Sequence, residues 1–208
     1  MELTDLEQQR VQKLERLREA GGEPYPRRSH RTHSTAEAIS AHEAAESAET
    51  PAPEVTVAGR VVSSRVMGKL SFAHVADESG PLQLFIRRNS LGEEAYDLFR
   101  KTVDLGDFVE ASGPMMRTRT GEVSLQVTSI RMLAKAVTPL PIPKEYEDKN
   151  GKARRFAAFS DVEGRYRQRY ADLAVNPEVR EVFRVRSRMI SALRRWLDDN
   201  GYLEVETP

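Results

Sequence analysis

Aromatic and hydrogen-bonding side chains alternate with aliphatic ones along two predicted strands between residues 70 and 87. Side chains on a strand point to opposite faces in turn, so one face carries Phe72, His74, Gln83, Phe85 and Arg87. Aromatic rings stack on unpaired bases, and amide or guanidinium groups hydrogen-bond to base edges and phosphates. The pattern predicts a platform for single-stranded nucleic acid. The alternative, that both rings are sheet residues covered by a helix or loop, is open at this point.

The charge balance excludes a chain that coats nucleic acid through bulk charge. Lys plus Arg and Asp plus Glu both number 32, so the formal net charge is +0. Any nucleic-acid site must therefore be local. The absence of cysteine excludes disulfides and thiolate metal sites. No apolar run is long enough to span a bilayer and the first residues do not resemble a signal peptide, so we expect no membrane partner and a cytoplasmic location.

Candidate elements before residue 54 are helical. Thr4 and Glu7, and again Ser34 and Glu37, have the spacing of a capping box. They predict helices over residues 5–20 and from Ser34 to residue 48, followed by a proline-containing linker. We interpret the basic side chains of the first helix as its solvated face: Arg10, Lys13, Arg16 and Arg18.

Between residues 55 and 133 the apolar period becomes two. Strands are predicted at residues 55–66, 70–76, 82–87, 107–117 and 122–133, with a short helix near residues 93–102. Three strands, a helix and two strands is the order of the five-stranded oligonucleotide/oligosaccharide-binding (OB) barrel, which binds ligands on strands two and three. The fold class is therefore mainly β with flanking helices. An SH3-like barrel or a plain meander is the structural alternative.

The last part of the chain reads as a linker followed by one long helix and a short strand. Residues 144–155 form a polar connector after three closely spaced prolines. Asn176 as N-cap and Pro177 in the first turn predict a helix that ends at Asn200 and Gly201. Residues 202–206 alternate as a strand. The sequence offers no catalytic constellation and no set of metal ligands.

Two segments of this region resemble class II lysyl-tRNA synthetases. They are G-R-Y-R-Q-R-Y-A-D-L at residues 164–173 and G-Y-L-E-V-E-T-P at residues 201–208. The first resembles the lysine enzymes more closely than the related aspartate and asparagine enzymes. The resemblance implies helices and a linker at 1–53, an anticodon-binding OB domain at 54–136, a linker at 137–163 and the start of the catalytic domain, motif 1, at 164–208. Two stretches depart from the family pattern: the long connector at 142–159 and the alanine-rich residues 41–48.

The resemblance also implies roles for individual residues. By position, the anticodon-binding residues are Arg65, Phe72, Gln83 and Glu122. Strand parity adds His74 and Phe85. Phe72 stacks on the central base in this interpretation, and the partner is the tRNA for lysine.

The long helix and the end of the chain correspond to the dimer interface of the family. The implied interface residues are Val182, Phe183, Met189, Trp196 and Pro208. ATP and magnesium belong to the full-length parent, whose motifs 2 and 3 lie beyond Pro208. We therefore expect no cofactor and no lysine activation for this chain alone. The alternatives are a free-standing, non-catalytic OB-fold paralogue that binds RNA or a protein, and the anticodon-binding part of an aspartate or asparagine enzyme.

Overall fold

The computed structural model describes residues 3–142, 144–147, 153–156 and 159–207. The chain divides into two compact units, Met1–Pro139 and Leu140–Pro208. Each unit is described separately below.

The first unit begins with two capped helices, α1 (Asp5–Glu19) and α2 (Thr35–Ser47). In both, the N-cap hydroxyl accepts from the backbone N–H of the third helical residue, and the glutamate side chain of that residue accepts from the N-cap backbone N–H. Both predicted capping boxes are confirmed. The predicted solvated face of α1 is wrong at Arg10, which is buried and donates to the carbonyls of Leu105 and Ala136. The guanidinium donates hydrogen bonds to two loop carbonyl groups that are not part of a strand.

Six strands and two short helices follow α2. They are β1 (Glu54–Met67), β2 (Leu70–Ala76), β3 (Pro81–Arg87), α3 (Arg88–Leu91), α4 (Glu93–Thr102), β4 (Phe108–Arg117), β5 (Val123–Gln126) and β6 (Ser129–Ala134). The strand order β1-β2-β3-β5-β4 closes on itself because β1 also pairs with β4. Five strands therefore form a ring, as the sequence predicts, and β6 pairs with β4 outside it.

The interior of the ring holds the aliphatic side chains that the period-two pattern assigns to it. Val75, Leu82, Leu84 and Ile86 are all buried. Tyr96 of α4 is also fully buried, and its hydroxyl contacts Gly68 O at 2.9 Å and Ser71 Oγ at 2.8 Å. The helix thereby fixes the β1–β2 turn. Closure of the sheet excludes the plain meander.

A β-bulge in β1 changes which residues face outward. Val61 is buried opposite Val75, but the register shifts before Ser63, which lies opposite His74. An extra residue in one strand flips the parity of everything beyond it. Arg65, which has the same parity as Val61, therefore faces outward and is exposed.

The last predicted strand of the ring, residues 122–133, is two strands. β5 pairs with β3 in parallel and with β4 antiparallel, whereas β6 pairs with β4 alone. β4 changes its pairing partner from β6 to β5 around Gly113, whose φ is +155°. At this residue the β4 backbone passes close to Gln126. A Cβ at Gly113 would lie 2.0 Å from the carbonyl oxygen of Gln126, so only glycine permits this approach.

The second unit contains a short strand pair and three helices: β7 (Lys144–Glu147), β8 (Ala153–Phe156), α5 (Val162–Arg167), α6 (Arg169–Val175) and α7 (Pro177–Asp199). The polar connector predicted for residues 144–155 thus includes two antiparallel strands. The long helix is confirmed, but the Asn176 side chain does not cap it. Instead, Asn176 Nδ2 donates to Asp172 Oδ1 at 2.7 Å and to Phe159 O at 3.2 Å.

The strand predicted at residues 202–206 is not formed. A strand needs a partner for its backbone groups, and the described residues supply none there. Pro208 lies outside the described residues. α7 exposes the other four predicted interface residues: Val182, Phe183, Met189 and Trp196. Among the helices of the described ranges, none has the length and apolar character needed to cross a membrane.

Candidate nucleic-acid interface

A groove of about 940 Å³ runs over the outer face of the ring at β1, β2 and β3. We call it the recognition groove. From these strands it is lined by Arg65, Phe72, His74, Gln83, Phe85 and Arg87. The lining is completed by Ser63, Ser64, Leu70, Met116, Gln126 and the turn residues 118–120.

The strand register arranges the groove in two rows of cross-strand partners. The aromatic row contains Arg65, Phe72, Phe85 and Gln126, one each from β1, β2, β3 and β5. The polar row contains Ser63, His74, Gln83 and Ser124 from the same four strands. The rows lie on the same face, two residues apart. Four strands therefore supply a stacking surface beside a hydrogen-bonding surface.

Two phenylalanine rings lie at the centre of the aromatic row. The centroids of Phe72 and Phe85 are 5.4 Å apart and their planes are inclined by 51°. Both side chains are half-buried and line the groove, so no helix or loop covers them. The Arg87 guanidinium lies 5.4 Å from the Phe85 centroid. Such a surface can stack an unpaired base without regard to its sequence.

Hydrogen bonds join the polar row to Glu122 in the turn before β5. His74 Nδ1 lies 2.8 Å from Ser63 Oγ, and His74 Nε2 lies 3.0 Å from Glu122 Oε1. Gln83 Nε2 donates to Glu122 Oε2 at 2.5 Å, and Gln83 Oε1 accepts from Ser124 Oγ at 2.8 Å. The two last contacts fix the orientation of the Gln83 amide, since its oxygen and nitrogen have partners of opposite kind.

The network leaves hydrogen-bonding groups free. Within the part of the chain that the structure describes, Gln83 Nε2 uses one of its two hydrogens, and each oxygen of the Glu122 carboxylate accepts one bond. The Glu122 side chain is 46% exposed. The site therefore presents an acceptor next to a donor beside the stacking rings. This pairing matches the N3–H and carbonyl groups of uracil.

The turn that carries Glu122 is attached to α2 through Arg117. Arg117 donates to Glu46 Oε1 at 3.0 Å and to Glu46 Oε2 at 2.6 Å, and its Nη1 donates to Gly121 O at 2.8 Å. The hydrogen bond from Arg117 lowers the pKa of Glu46 from its usual value and correspondingly raises that of Arg117. Both groups remain charged at neutral pH.

Asp77 lies in the turn that connects β2 to β3. Its carboxylate accepts from Thr35 N at 2.9 Å, Thr35 Oγ1 at 2.7 Å and Ser79 Oγ at 2.6 Å. Burial raises the pKa of this carboxyl, but the hydrogen bonds from Ser79 and Thr35 together outweigh it and lower the pKa to about 2. The charged form thus ties the start of α2 to the hairpin that carries Phe72.

The structure brings the six candidate residues of the sequence analysis together. Five of them line the groove, and Glu122 lies at its edge, bonded to His74 and Gln83. Met116, Arg119 and Gln126 are among the lining residues that the sequence analysis missed. The alternation of the last predicted strand places Gln126 on the outer face and could have indicated it. Nothing in the sequence of the turn distinguished Arg119.

Family comparisons match both units. The family described as OB-fold nucleic acid binding domain matches residues 55–133, and the family described as tRNA synthetases class II (D, K and N) matches residues 161–208. The chain thus combines an OB-fold nucleic-acid-binding domain with a segment of a class II synthetase. In the residues that the structure describes, no cluster of three or more His, Asp or Glu side chains suits a metal ion.

Relatives match the chain over its whole length. It is 48% identical over 209 aligned residues to lysine-tRNA ligase of Roseiflexus castenholzii, and the alignment covers 100% of the chain and 40% of that protein. Identity is 46% to the lysine-tRNA ligase of Chloroflexus aurantiacus and 44% to that of Bacillus subtilis, with 40% and 39% of those proteins covered. The homologues that match the whole chain are thus lysine-tRNA ligases, and the chain spans about 40% of the length of these relatives.

Proposed function

We propose that the recognition groove binds the anticodon of the tRNA for lysine. One observation carries the proposal: the half-buried pair of Phe72 and Phe85 lies beside the acceptor of Glu122 and the donor of Gln83. A stacking surface alone binds any base. A carboxylate and an amide next to it add a preference for a base that donates from N3 and accepts at a carbonyl, which is uracil.

Each groove residue has a distinct role in this proposal. Phe72 stacks on the central base, with Phe85 extending the surface. Glu122 accepts the N3–H, and Gln83 donates to a carbonyl. Arg65, exposed next to Phe72, contacts a carbonyl or a phosphate. Cytosine has an unprotonated N3, so it would place a lone pair against the Glu122 carboxylate.

For the whole protein we propose the activity named in the relatives: attachment of lysine to its tRNA, with ATP and magnesium used by the class II domain. The present chain contributes tRNA binding in the cytoplasm. The apolar residues of α7 that remain exposed, Val182, Phe183, Met189 and Trp196, contribute to a homodimer interface. Exposed apolar patches of this kind mark association surfaces.

Titration of two RNA hairpins tests the anticodon proposal. One presents three loop uridines, and the other has cytosine in place of the central uridine. We expect tighter binding of the uridine hairpin, and we expect Phe72→Ala to weaken binding by about 1–3 kcal/mol, the usual contribution of one stacked base.

Phe108→Ala is the matched control, because Phe108 is a part-exposed ring on β4 that does not line the groove. We expect this variant to bind like the wild type. If wild type and Phe72→Ala bind both hairpins with the same affinity, the anticodon proposal is wrong.

A further inference from the structure

We propose that His74 is a positioning residue: it fixes the Glu122 carboxylate in the orientation that reads uracil. This inference rests on the proposed function, because it concerns how that same site discriminates between bases. It assigns His74 an action through Glu122 and not on the RNA.

The chemistry of the partners determines the tautomer of His74. A carboxylate only accepts hydrogen bonds, so the 3.0 Å contact to Glu122 Oε1 places the hydrogen on His74 Nε2. In the neutral tautomer that this contact defines, Nδ1 is an acceptor, and Ser63 Oγ at 2.8 Å is its donor. The relay therefore runs from Ser63 through His74 to Glu122.

With both nitrogens used inside the protein, the imidazole has no hydrogen-bonding group left for a base. Phe72, two residues earlier on the same face, supplies the stacking surface instead. What the ring does supply is one of two donors that hold the carboxylate. His74 Nε2 holds Oε1, and Gln83 Nε2 holds Oε2.

Two donors on two oxygens fix the carboxylate plane, whereas one leaves it free to rotate. Glu122 needs this restraint because its side chain is 46% exposed and lies at the end of a turn. A flexible glutamate loses rotamer freedom whenever it binds, and this loss reduces affinity. A carboxylate that is already oriented avoids the loss, so the preference for uridine over cytosine depends on His74.

The test measures the affinity of the full 208-residue chain for the uridine and cytosine hairpins in four variants. His74→Leu removes both nitrogens, and His74→Gln keeps an N–H that can reach Glu122. Glu122→Gln removes the charge, and the fourth variant combines Glu122→Gln with His74→Leu. Thermal unfolding of each variant confirms that it is folded.

We expect His74→Leu to reduce the uridine-to-cytosine affinity ratio about tenfold, mainly through weaker uridine binding. His74→Gln should restore most of the ratio. In the Glu122→Gln background, His74→Leu should have no further effect on the ratio, because the residue through which it acts has already been changed. A purely structural role would lower the affinity for both hairpins equally.

The outcomes separate this inference from the proposed function. Equal affinities of the wild type for the two hairpins overturn the proposed function, and the role of His74 in discrimination with it. A wild-type preference that persists in folded His74→Leu overturns the inference alone. Two other results also overturn the inference alone. One is an equal loss of affinity for both hairpins in His74→Leu. The other is a reduction of the affinity ratio by His74→Leu that is as large in the Glu122→Gln background as in the wild type.

Discussion

Two polar clusters of the first unit differ in how completely their hydrogen-bonding groups are used. The buried cluster centres on Lys135, whose side chain is 1% exposed. Its ammonium donates to Thr102 O at 2.7 Å, Asp104 Oδ2 at 2.6 Å and Asp107 Oδ2 at 2.7 Å. An ammonium has three hydrogens, so all of them are used. The groove cluster around Glu122, by contrast, is part-exposed and has free donors and acceptors.

The difference separates a structural cluster from the proposed binding site. Asp107 in the buried cluster also accepts from the backbone of Asp104 and Ala136, and Lys13 reaches Asp104 from α1 at 2.5 Å. Burial raises the pKa of Asp104, but the hydrogen bonds from Lys13 and Lys135 outweigh it and lower the pKa. The Lys135 ammonium at the centre of the buried cluster has no hydrogen left for a ligand. It joins α1, the α4–β4 loop and the end of β6.

The largest expected effect comes from breaking the buried cluster. Lys135→Met leaves Asp104 and Asp107 with one cation fewer, and we expect the free energy of unfolding to fall by about 3–5 kcal/mol, as for other broken buried pairs. Chemical denaturation measures this change. The uridine-to-cytosine ratio of the folded variant should remain that of the wild type.

Lys101→Met is the control for charge removal, since Lys101 on α4 is 65% exposed. We expect a change below about 0.5 kcal/mol. A similarly small change for Lys135→Met would contradict the distinction between the two clusters.

The second largest effect on stability is expected at Asp77, which joins the β2–β3 hairpin of the groove to α2. Its folded pKa of about 2 is below the ordinary value of 3.8. A depressed carboxyl pKa stabilises the fold above the unfolded pKa, and this stabilisation is lost as the pH falls through the folded value. We expect Asp77→Asn to cost about 2 kcal/mol at pH 7, with the difference from wild type narrowing between about pH 4 and pH 2.

Denaturant unfolding of both proteins across this pH range measures the contribution of Asp77. Asp97→Asn, an exposed carboxylate on α4, is the control and should show no comparable difference. If the difference in free energy of unfolding between wild type and Asp77→Asn stays constant with pH, the charge of Asp77 is not the source of its stabilising effect.

The smallest effect sharpens the comparison within the groove. Glu46→Ala removes the partner of Arg117, which holds Gly121 O next to Glu122. We expect faster amide hydrogen exchange in residues 118–122 and little change in the melting temperature, because the ion pair is on the surface. Glu43→Ala changes a charge on the same helix without removing a hydrogen bond to Arg117 and should leave the exchange unchanged. Equal exchange in both variants would mean that α2 does not restrain the turn.

Local sequence patterns predicted most of the first unit, because helix capping and strand alternation depend on residues that are close together in the sequence. The capping residues Thr4 and Ser34 mark the helix starts, and alternation along β2 and β3 assigns Leu82 and Leu84 to the core. The same alternation assigns Phe72 to the groove. These features depend on neighbours in sequence, so a single chain carries the signal.

Features that depend on distant residues could not be predicted. The β1 bulge places Arg65 in the groove although its parity with Val61 assigns it to the core, and only the family resemblance indicated it. Lys135 and Arg10 are buried charged residues whose partners lie far away in the sequence. The division of the last strand depends on Gly113 of β4 approaching Gln126. In each case tertiary contacts override the local preference.

The attachment of α1 has a consequence for how the chain folds during synthesis. Arg10 Nη1 donates to Ala136 O, a contact between residues 126 positions apart. Translation produces α1 before the ring, yet Ala136 emerges only after the whole ring has been made. Because such long-range contacts slow folding, we expect the nascent first unit to complete on the millisecond-to-second scale, and only after residue 136 leaves the ribosome.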